Sequence, residues 1–148
     1  MQNLTELLKN KRIASVDFGM KRIGVAVTDE LHISITPKII FEFTSENFWS
    51  DFLSMLEFEN IQAIVIGNPI RKDNSESYIH KEIEKFIEKL NADNKFLIFR
   101  QDESLSSKKA AETMLINGTK KKNRKEKGNT DRIAATIILQ DFLNENLW

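Results

Sequence analysis

Residues 14–29, ASVDFGMKRIGVAVTD, place two short β-branched runs on either side of a glycine-containing turn. Ile13–Val16 and Ile23–Val27 have the composition of strands, and the residues between them, Asp17 to Arg22, suffice only for a tight connection. Strands joined this way pair antiparallel. Working outward, Ile33–Phe43 reads as a third strand. Pro37 puts part of it at an edge or a bulge, because proline brings no N–H to a ladder. Phe48, Phe52, Met55 and Leu56 then recur at helical spacing. Ile61–Ile66, IQAIVI, is nearly continuous in apolar residues and is ended by Gly67, Asn68 and Pro69, as expected of a strand buried on both faces.

An amphipathic helix follows, with Ile79, Ile83, Phe86, Ile87 and Leu90 on one side and Glu82, Glu84, Lys85, Glu88 and Lys89 largely on the other. Lys95–Phe99 reads as a strand and Ser106–Ile116 as a helix. Asp131–Leu143 reads as a last helix, apolar around so much of its girth that it must be well buried. The order β-β-β-α-β-α-β-α-α predicts one α/β domain over residues 1–148. Its core is a mixed five-stranded sheet, a three-strand antiparallel meander plus parallel strands, flanked by helices.

Composition narrows the chemistry. The chain has no Cys and only His32 and His80, so thiolate sites are impossible and a zinc site is not expected; a metal here would be held by oxygen. His32, after a strand, and His80, in the amphipathic helix, read as turn and surface residues. No apolar stretch reaches the length of a signal core or a membrane span, so a cytoplasmic protein with no membrane partner is expected. The 22 Lys+Arg balance 22 Asp+Glu, but the balance is uneven along the chain. TKKKNRKEK, residues 119–127, carries +5 through Lys120, Lys121, Lys122, Arg124, Lys125 and Lys127, and the rest of the chain sums to −5. Such a run is either a solvated loop or an arm whose cations release counterions from a nucleic acid backbone.

Acidic residues stand where open α/β sheets bind ligands, beyond the carboxyl ends of strands. Asp17 follows the first strand, Asp102 and Glu103 follow the strand ending near Arg100, and Asp131 begins the last helix. Each also has an ordinary reading, as a turn residue, a loop acid or a helix-start acid. Brought together, three carboxylates would repel unless a divalent cation neutralised them, and hard oxygen ligands suit Mg²⁺ or Mn²⁺. Gly19 and Gly24 do not make a phosphate-binding P-loop, because Val25 and Ala26 stand where that motif needs Lys and Ser or Thr. Asp17-Phe18-Gly19 matches a kinase tripeptide, but no H-R-D catalytic loop accompanies it.

Four segments in register resemble the YqgF/RuvX family of RNase H-like proteins. They are Ala14–Asp29; Val65–Pro69 with Asp73-Asn74-Ser75; Asp102–Ser107 with Ala110; and Lys127–Asp131 with Ala134-Ala135 and Ile138-Leu139-Gln140. The resemblance implies an RNase H-like fold and metal-dependent phosphodiester hydrolysis. The substrate it implies is the 5′ end of pre-16S rRNA, in ribosome biogenesis, with Holliday junctions in DNA recombination as the alternative. It puts the family's acidic positions on Asp17, Glu103 and Asp131, as ligands of one or two Mg²⁺ (or Mn²⁺) ions. Arg71 and the basic segment Lys120–Lys127 are then expected phosphate contacts, and Lys21 and Arg22, in the turn beside Asp17, are either phosphate contacts or exposed hairpin charges.

Three positions depart from the family pattern. Ser104 stands where Arg is usual, Asn68 where an apolar residue is usual, and Asn74 where Gly is common. Without that Arg, either Arg100, Lys108 or Arg71 supplies the phosphate clamp or the substrate is held differently. Two rivals remain: a nucleotide-binding module, for which the chain lacks a second large domain, and a noncatalytic nucleic-acid-binding scaffold. A junction resolvase would need a dimer with paired sites, whereas a monomer suits single-strand rRNA processing. Trp49 and Trp148 are candidates for such an interface or for packing against their own fold.

Overall fold

The computed structural model describes residues 3–68, 78–102 and 127–148, with side chains except at 39 and 127–132. The elements are α1 (Leu4–Leu7), β1 (Arg12–Asp17), β2 (Arg22–Thr28), β3 (Ile35–Glu42), α2 (Phe48–Phe58), β4 (Ile61–Asn68), α3 (Tyr78–Leu90), β5 (Leu97–Asp102) and α4 (Lys127–Asn146). The sheet order is β3-β2-β1-β4-β5. β1, β2 and β3 form the antiparallel meander, and β1, β4 and β5 run parallel. Pro37 lies on the edge strand β3 and pairs with Ala26 beside a register shift, so the proline is accommodated by both edge and bulge.

Alternation along each strand divides the core in two. Ala14, Val16, Ile64 and Ile66 pack with α2 and α3, against Phe48, Phe52, Leu56, Ile83, Phe86 and Leu90. Ile13, Ala63 and Val65 face the other way, toward Ala135, Ile138, Leu139, Phe142 and Leu143 of α4. The polar Ser15 lies on the α4 face, fully buried, and its Oγ donates to Ala135 O at 2.6 Å. That bond satisfies the hydroxyl and fastens the helix to the middle of the central strand.

The structure corrects several boundaries. α1 had no counterpart in the sequence reading; at four residues it is too short for periodicity to reveal, and it delivers Leu8 into the core. β5 is displaced toward the C-terminus, because pairing of Gly67 with Gln101 and Asn68 with Asp102 draws a charged tripeptide into the ladder. α4 begins at Lys127, so Lys127 belongs to a helix and Asp131 is the fifth helical residue instead of the first. Gly128 and Asn129 are weak helix formers; packing of the apolar residues further along carries the helix over them. The expected helix Ser106–Ile116 lies outside the described residues.

Asn10, Asn60 and Asn94 occupy left-handed backbone (φ 61°, 54° and 51°) where the chain passes from a helix toward a strand. Asparagine tolerates this region better than other side chains do. Near one of these junctions Glu59 bonds Arg12 at 2.9 Å and Lys38 at 3.2 Å, joining the end of α2 to β1 and β3. Burial would push the Glu59 carboxyl up, but hydrogen bonds from Lys38 and Arg12, and their charges, outweigh it and hold it below the usual range. The folded pKa is therefore lower than the unfolded one, about 4.3. Its contribution is present above that value and lost as pH falls through the folded pKa. Glu59→Gln is expected to lower the melting temperature at pH 7 and to converge with wild type as pH falls through the folded pKa of Glu59, as thermal melts across the acid range would show.

His32 also has left-handed backbone, and its Nε2 lies 2.7 Å from Lys11 O, a turn role as expected. Trp148 donates to His32 O at 2.9 Å, so this terminal aromatic does contact its own fold, although its side chain is still exposed. Trp49 packs against the first core cluster, with Lys89 over its ring at 4.8 Å.

Candidate active site

β1, β4 and β5 are adjacent and parallel, so their carboxyl ends form one rim. Asp17 is the last residue of β1, Asn68 of β4 and Asp102 of β5. The registers Val16 to Ile66, Ile66 to Arg100 and Asn68 to Asp102 set these ends side by side.

Asp17 is held from several directions. Its cross-strand partner is Gly24, which brings no side chain beside the carboxylate. Two residues earlier, Ser15 is bonded to α4, and strand alternation puts Asp17 on that same face. On the other face Phe18, 6% exposed, packs its ring edgewise on Phe43 at 5.1 Å and Phe86 at 5.4 Å. The turn is closed by Phe43 N donating to Lys21 O at 2.8 Å. Within it Gly19 is required by close approach: a Cβ there would stand 2.6 Å from the Arg22 carbonyl oxygen. Gly19→Ala is expected to force the turn open at a cost of roughly 1–3 kcal/mol, measured by chemical denaturation, and to reduce any activity that depends on Asp17.

Alternation separates the other two groups. Leu97 and Phe99 pack on the α4 side, and Gln101 Nε2 donates to Glu145 on α4 at 2.9 Å. Arg100 pairs with Glu84 on α3, so Asp102 and Asn68 belong to the α2 and α3 face. Asn68 Nδ2 donates to Asp102 Oδ1 at 2.8 Å. Arg100, a candidate replacement for the arginine absent at position 104, is thus already bound to a carboxylate on the face opposite Asp17.

Of the three acids that the resemblance puts in the site, Asp17, Glu103 and Asp131, only Asp17 has a described side chain. Asp131 lies in α4, one turn before Ala135, whose carbonyl accepts from Ser15. Glu103 lies outside the described residues, next in the chain after Asp102. Lys21 is exposed and Arg22 half-buried in the β1–β2 turn. Arg71, Lys108, Lys120, Lys121, Lys122, Arg124 and Lys125 lie outside the described residues, and the side chain of Lys127 does too. Among the described residues no group of three or more His, Cys, Asp or Glu could hold a metal. The donors at the rim are oxygens: the carboxylates of Asp17 and Asp102, and the buried Asn68 Oδ1, which has no hydrogen-bond partner among the described residues. Oxygen donors of this kind suit a hard cation and would not select zinc, but Asp17 faces α4 whereas Asp102 and Asn68 face α2 and α3, so these three do not form one ligand set. The sequence reading missed the Asn68–Asp102 bond and the Gln101–Glu145 bond. The odd–even alternation of β5 would have suggested the faces, had its boundaries been right.

A cavity of about 580 Å³ opens near the other end of the sheet, around Arg12, Ile61, Gln62 and Lys95. Its lining mixes both signs of charge and is remote from Asp17.

A family model described as RuvX, Holliday junction resolvase, matches residues 11–145. The chain belongs to this family. Relatives in the RuvX family include a protein of Flavobacterium psychrophilum named "Putative pre-16S rRNA nuclease", 38% identical over 92% of this chain and 98% of that protein. A protein of the same name from Amoebophilus asiaticus is 38% identical over 90% of this chain and 94% of its own length. Among solved structures, the fowlpox virus resolvase in complex with Holliday junction DNA aligns with a TM-score of 0.57 at 19% identity, over 93% of this chain and 99% of that one. T. thermophilus RuvC in complex with a Holliday junction substrate aligns with a TM-score of 0.54 at 14% identity, over 91% and 95%. At such identities the likeness is one of fold, and it agrees with the RNase H-like fold that the family resemblance implies for this RuvX family member.

Proposed function

We propose that this protein is a divalent-cation-dependent endonuclease that hydrolyses a phosphodiester bond in maturing the 5′ end of pre-16S rRNA, in the cytoplasm. Asp17, Glu103 and Asp131 are the acidic residues of its site. The observation that carries the reading is the placement of Asp17: last residue of the central strand, fixed by Ser15 on α4 and by Phe18 in the aromatic core. Rigid elements hold a reacting geometry better than mobile ones. Glu103 directly follows Asp102, the last residue of β5, and α4 carries Asp131.

In the reaction water adds to phosphorus as the bond to the 3′ oxygen breaks, and the departing oxygen takes a proton. A bound Mg²⁺ or Mn²⁺ ion supplies charge neutralisation and a more acidic water. The carboxylates orient and neutralise, while Lys21, Arg22, Arg71 and the segment Lys120–Lys127 hold the backbone phosphates. Pre-16S rRNA is preferred as substrate because relatives at 38% identity over nearly the whole chain carry that name.

Four-way DNA junctions are the second reading, favoured by the family's designation as Holliday junction resolvase and by the solved resolvases of the same fold in complex with junction DNA. Cleavage of labelled precursor rRNA and of a labelled junction with Mg²⁺, together with the solution mass, separates the two: rRNA cleavage by a monomer supports the first, symmetric junction cleavage by a dimer the second. Cleavage of neither substrate sinks both. If the basic segment contacts phosphates, Lys120→Ala, Lys121→Ala and Lys122→Ala combined should flatten the dependence of log affinity on log salt by about 2 for single-stranded RNA. An unchanged slope returns the segment to a solvated loop. Among the described residues no helix is long and apolar enough to cross a membrane.

A further inference from the structure

Six large apolar side chains are exposed among the described residues, and three of them gather at one place. Leu31 (67% exposed) and Ile33 (73%) flank His32 in the turn between β2 and β3, and Trp148 (57%) donates its indole N–H to the His32 carbonyl oxygen at 2.9 Å. Single exposed apolar residues are ordinary, whereas a contiguous group marks a contact surface. The turn itself is closely bonded. Asp29 Oδ1 accepts from Ile33 N at 2.7 Å and from Ser34 N at 3.0 Å, His32 N donates to Asp29 O at 3.3 Å, and His32 Nε2 lies 2.7 Å from Lys11 O. The apolar side chains thus stand on a preorganised frame, which lowers the entropy lost when a partner covers them.

Charge and size select the partner. Asp29 and Glu30 belong to the turn, Lys11 adjoins it through His32, and the exposed Lys9 comes two residues before Lys11. The acids repel a phosphate backbone or an anionic lipid, and a rim of both signs matches no partner of a single sign. A copy of this chain brings the same two signs, and a two-fold axis can set the acids of each against the lysines of the other. With 22 Lys+Arg against 22 Asp+Glu the formal charge is zero, so copies have no overall repulsion to overcome. The three side chains expose roughly 400 Å², about half of the 800 Å² per partner of a standard stable interface, which makes the contact a reversible one. Strand addition is not the route, because Pro37 and Lys38 on the edge strand β3 discourage pairing along it.

We propose that the patch of Leu31, Ile33 and Trp148 is the contact through which two copies of this chain form a weak two-fold dimer. The patch lies beside Lys11, just ahead of β1, whereas Asp17 ends that strand, so the two Asp17 residues of the pair point away from each other. This contact is therefore distinct from the paired arrangement that cutting a four-way junction requires.

The test is the weight-average mass of the full chain by sedimentation equilibrium, from about 1 µM to about 500 µM, a range that spans weak association. The wild-type mass should rise from 17.2 kDa toward twice that value as concentration increases. Leu31→Ser combined with Ile33→Ser should weaken the association by about 10-fold or more, and because both side chains are exposed the dilute variant should melt as wild type does. The chain has no Cys, so a single one introduced reports on proximity. Ile33→Cys should be joined to its copy by a short bismaleimide at dimer-forming concentration, and Tyr78→Cys, 67% exposed at the start of α3, should not. A wild-type mass of 17.2 kDa throughout overturns the proposal and leaves the patch to a partner other than this chain. A dimer that persists unchanged in the double variant, or that is joined through Tyr78→Cys in place of Ile33→Cys, overturns the patch as its contact.

Discussion

Asp17→Asn should lower Mg²⁺-dependent phosphodiester cleavage by at least about 10²-fold, the scale set by removing one preorganised electrostatic group from a reacting centre. The substitution preserves shape and most hydrogen-bonding capacity but removes the negative charge, so the fold should persist. The neighbours of Asp17 support this, because what fixes the position is the backbone pairing with Gly24, the Ser15 bond to α4 and the packing of Phe18. None of these needs the carboxylate. The two checks are single-turnover cleavage of labelled RNA and a thermal melt of the same preparation. Wild-type rates in a folded Asp17→Asn protein would sink the assignment of Asp17 to the reaction.

Phe86→Ala should destabilise the fold by about 3–5 kcal/mol, because it removes a large ring from a packed interior and leaves a cavity. Phe86 is 2% exposed and lies within 6.2 Å, ring centre to ring centre, of Phe18, Phe43, Phe48, Trp49 and Phe52. Domains are stable by only about 5–15 kcal/mol, so such a loss is a large fraction of the whole. Phe86 also supports Phe18, the residue after Asp17, so the folded fraction should cleave more slowly per molecule than wild type. Urea denaturation gives the stability, and rates corrected for folded fraction give the rest. A destabilisation below about 1 kcal/mol would mean that the aromatic cluster is far less tightly packed than these ring distances indicate.

The sequence alone carried the α/β class, the meander followed by parallel strands, the identity of α3 and the buried character of α4. These features are local: β-branched runs such as Ile61–Ile66, the helical spacing of Ile83, Phe86 and Leu90, and the tight link from Asp17 to Arg22 are all set by neighbouring residues. The type and position of Asp17 were likewise legible, since an acid at a strand end beside a glycine turn can be read without coordinates.

What stands near that acid was not legible. Ser15 meets Ala135 across a separation of 120 residues, and Gln101 meets Glu145 across 44. Such contacts depend on which face a strand presents, and one residue of register reverses the face. The charged end of β5 read as loop because composition cannot anticipate that β4 will pair with it to Asn68 and Asp102. The amide of Asn68, polar where an apolar residue was the family expectation, could be seen in the sequence only as a departure. Tertiary structure alone decided that its N–H is taken by Asp102 and that its oxygen is buried with no partner among the described residues, because both facts are properties of packing between separate strands.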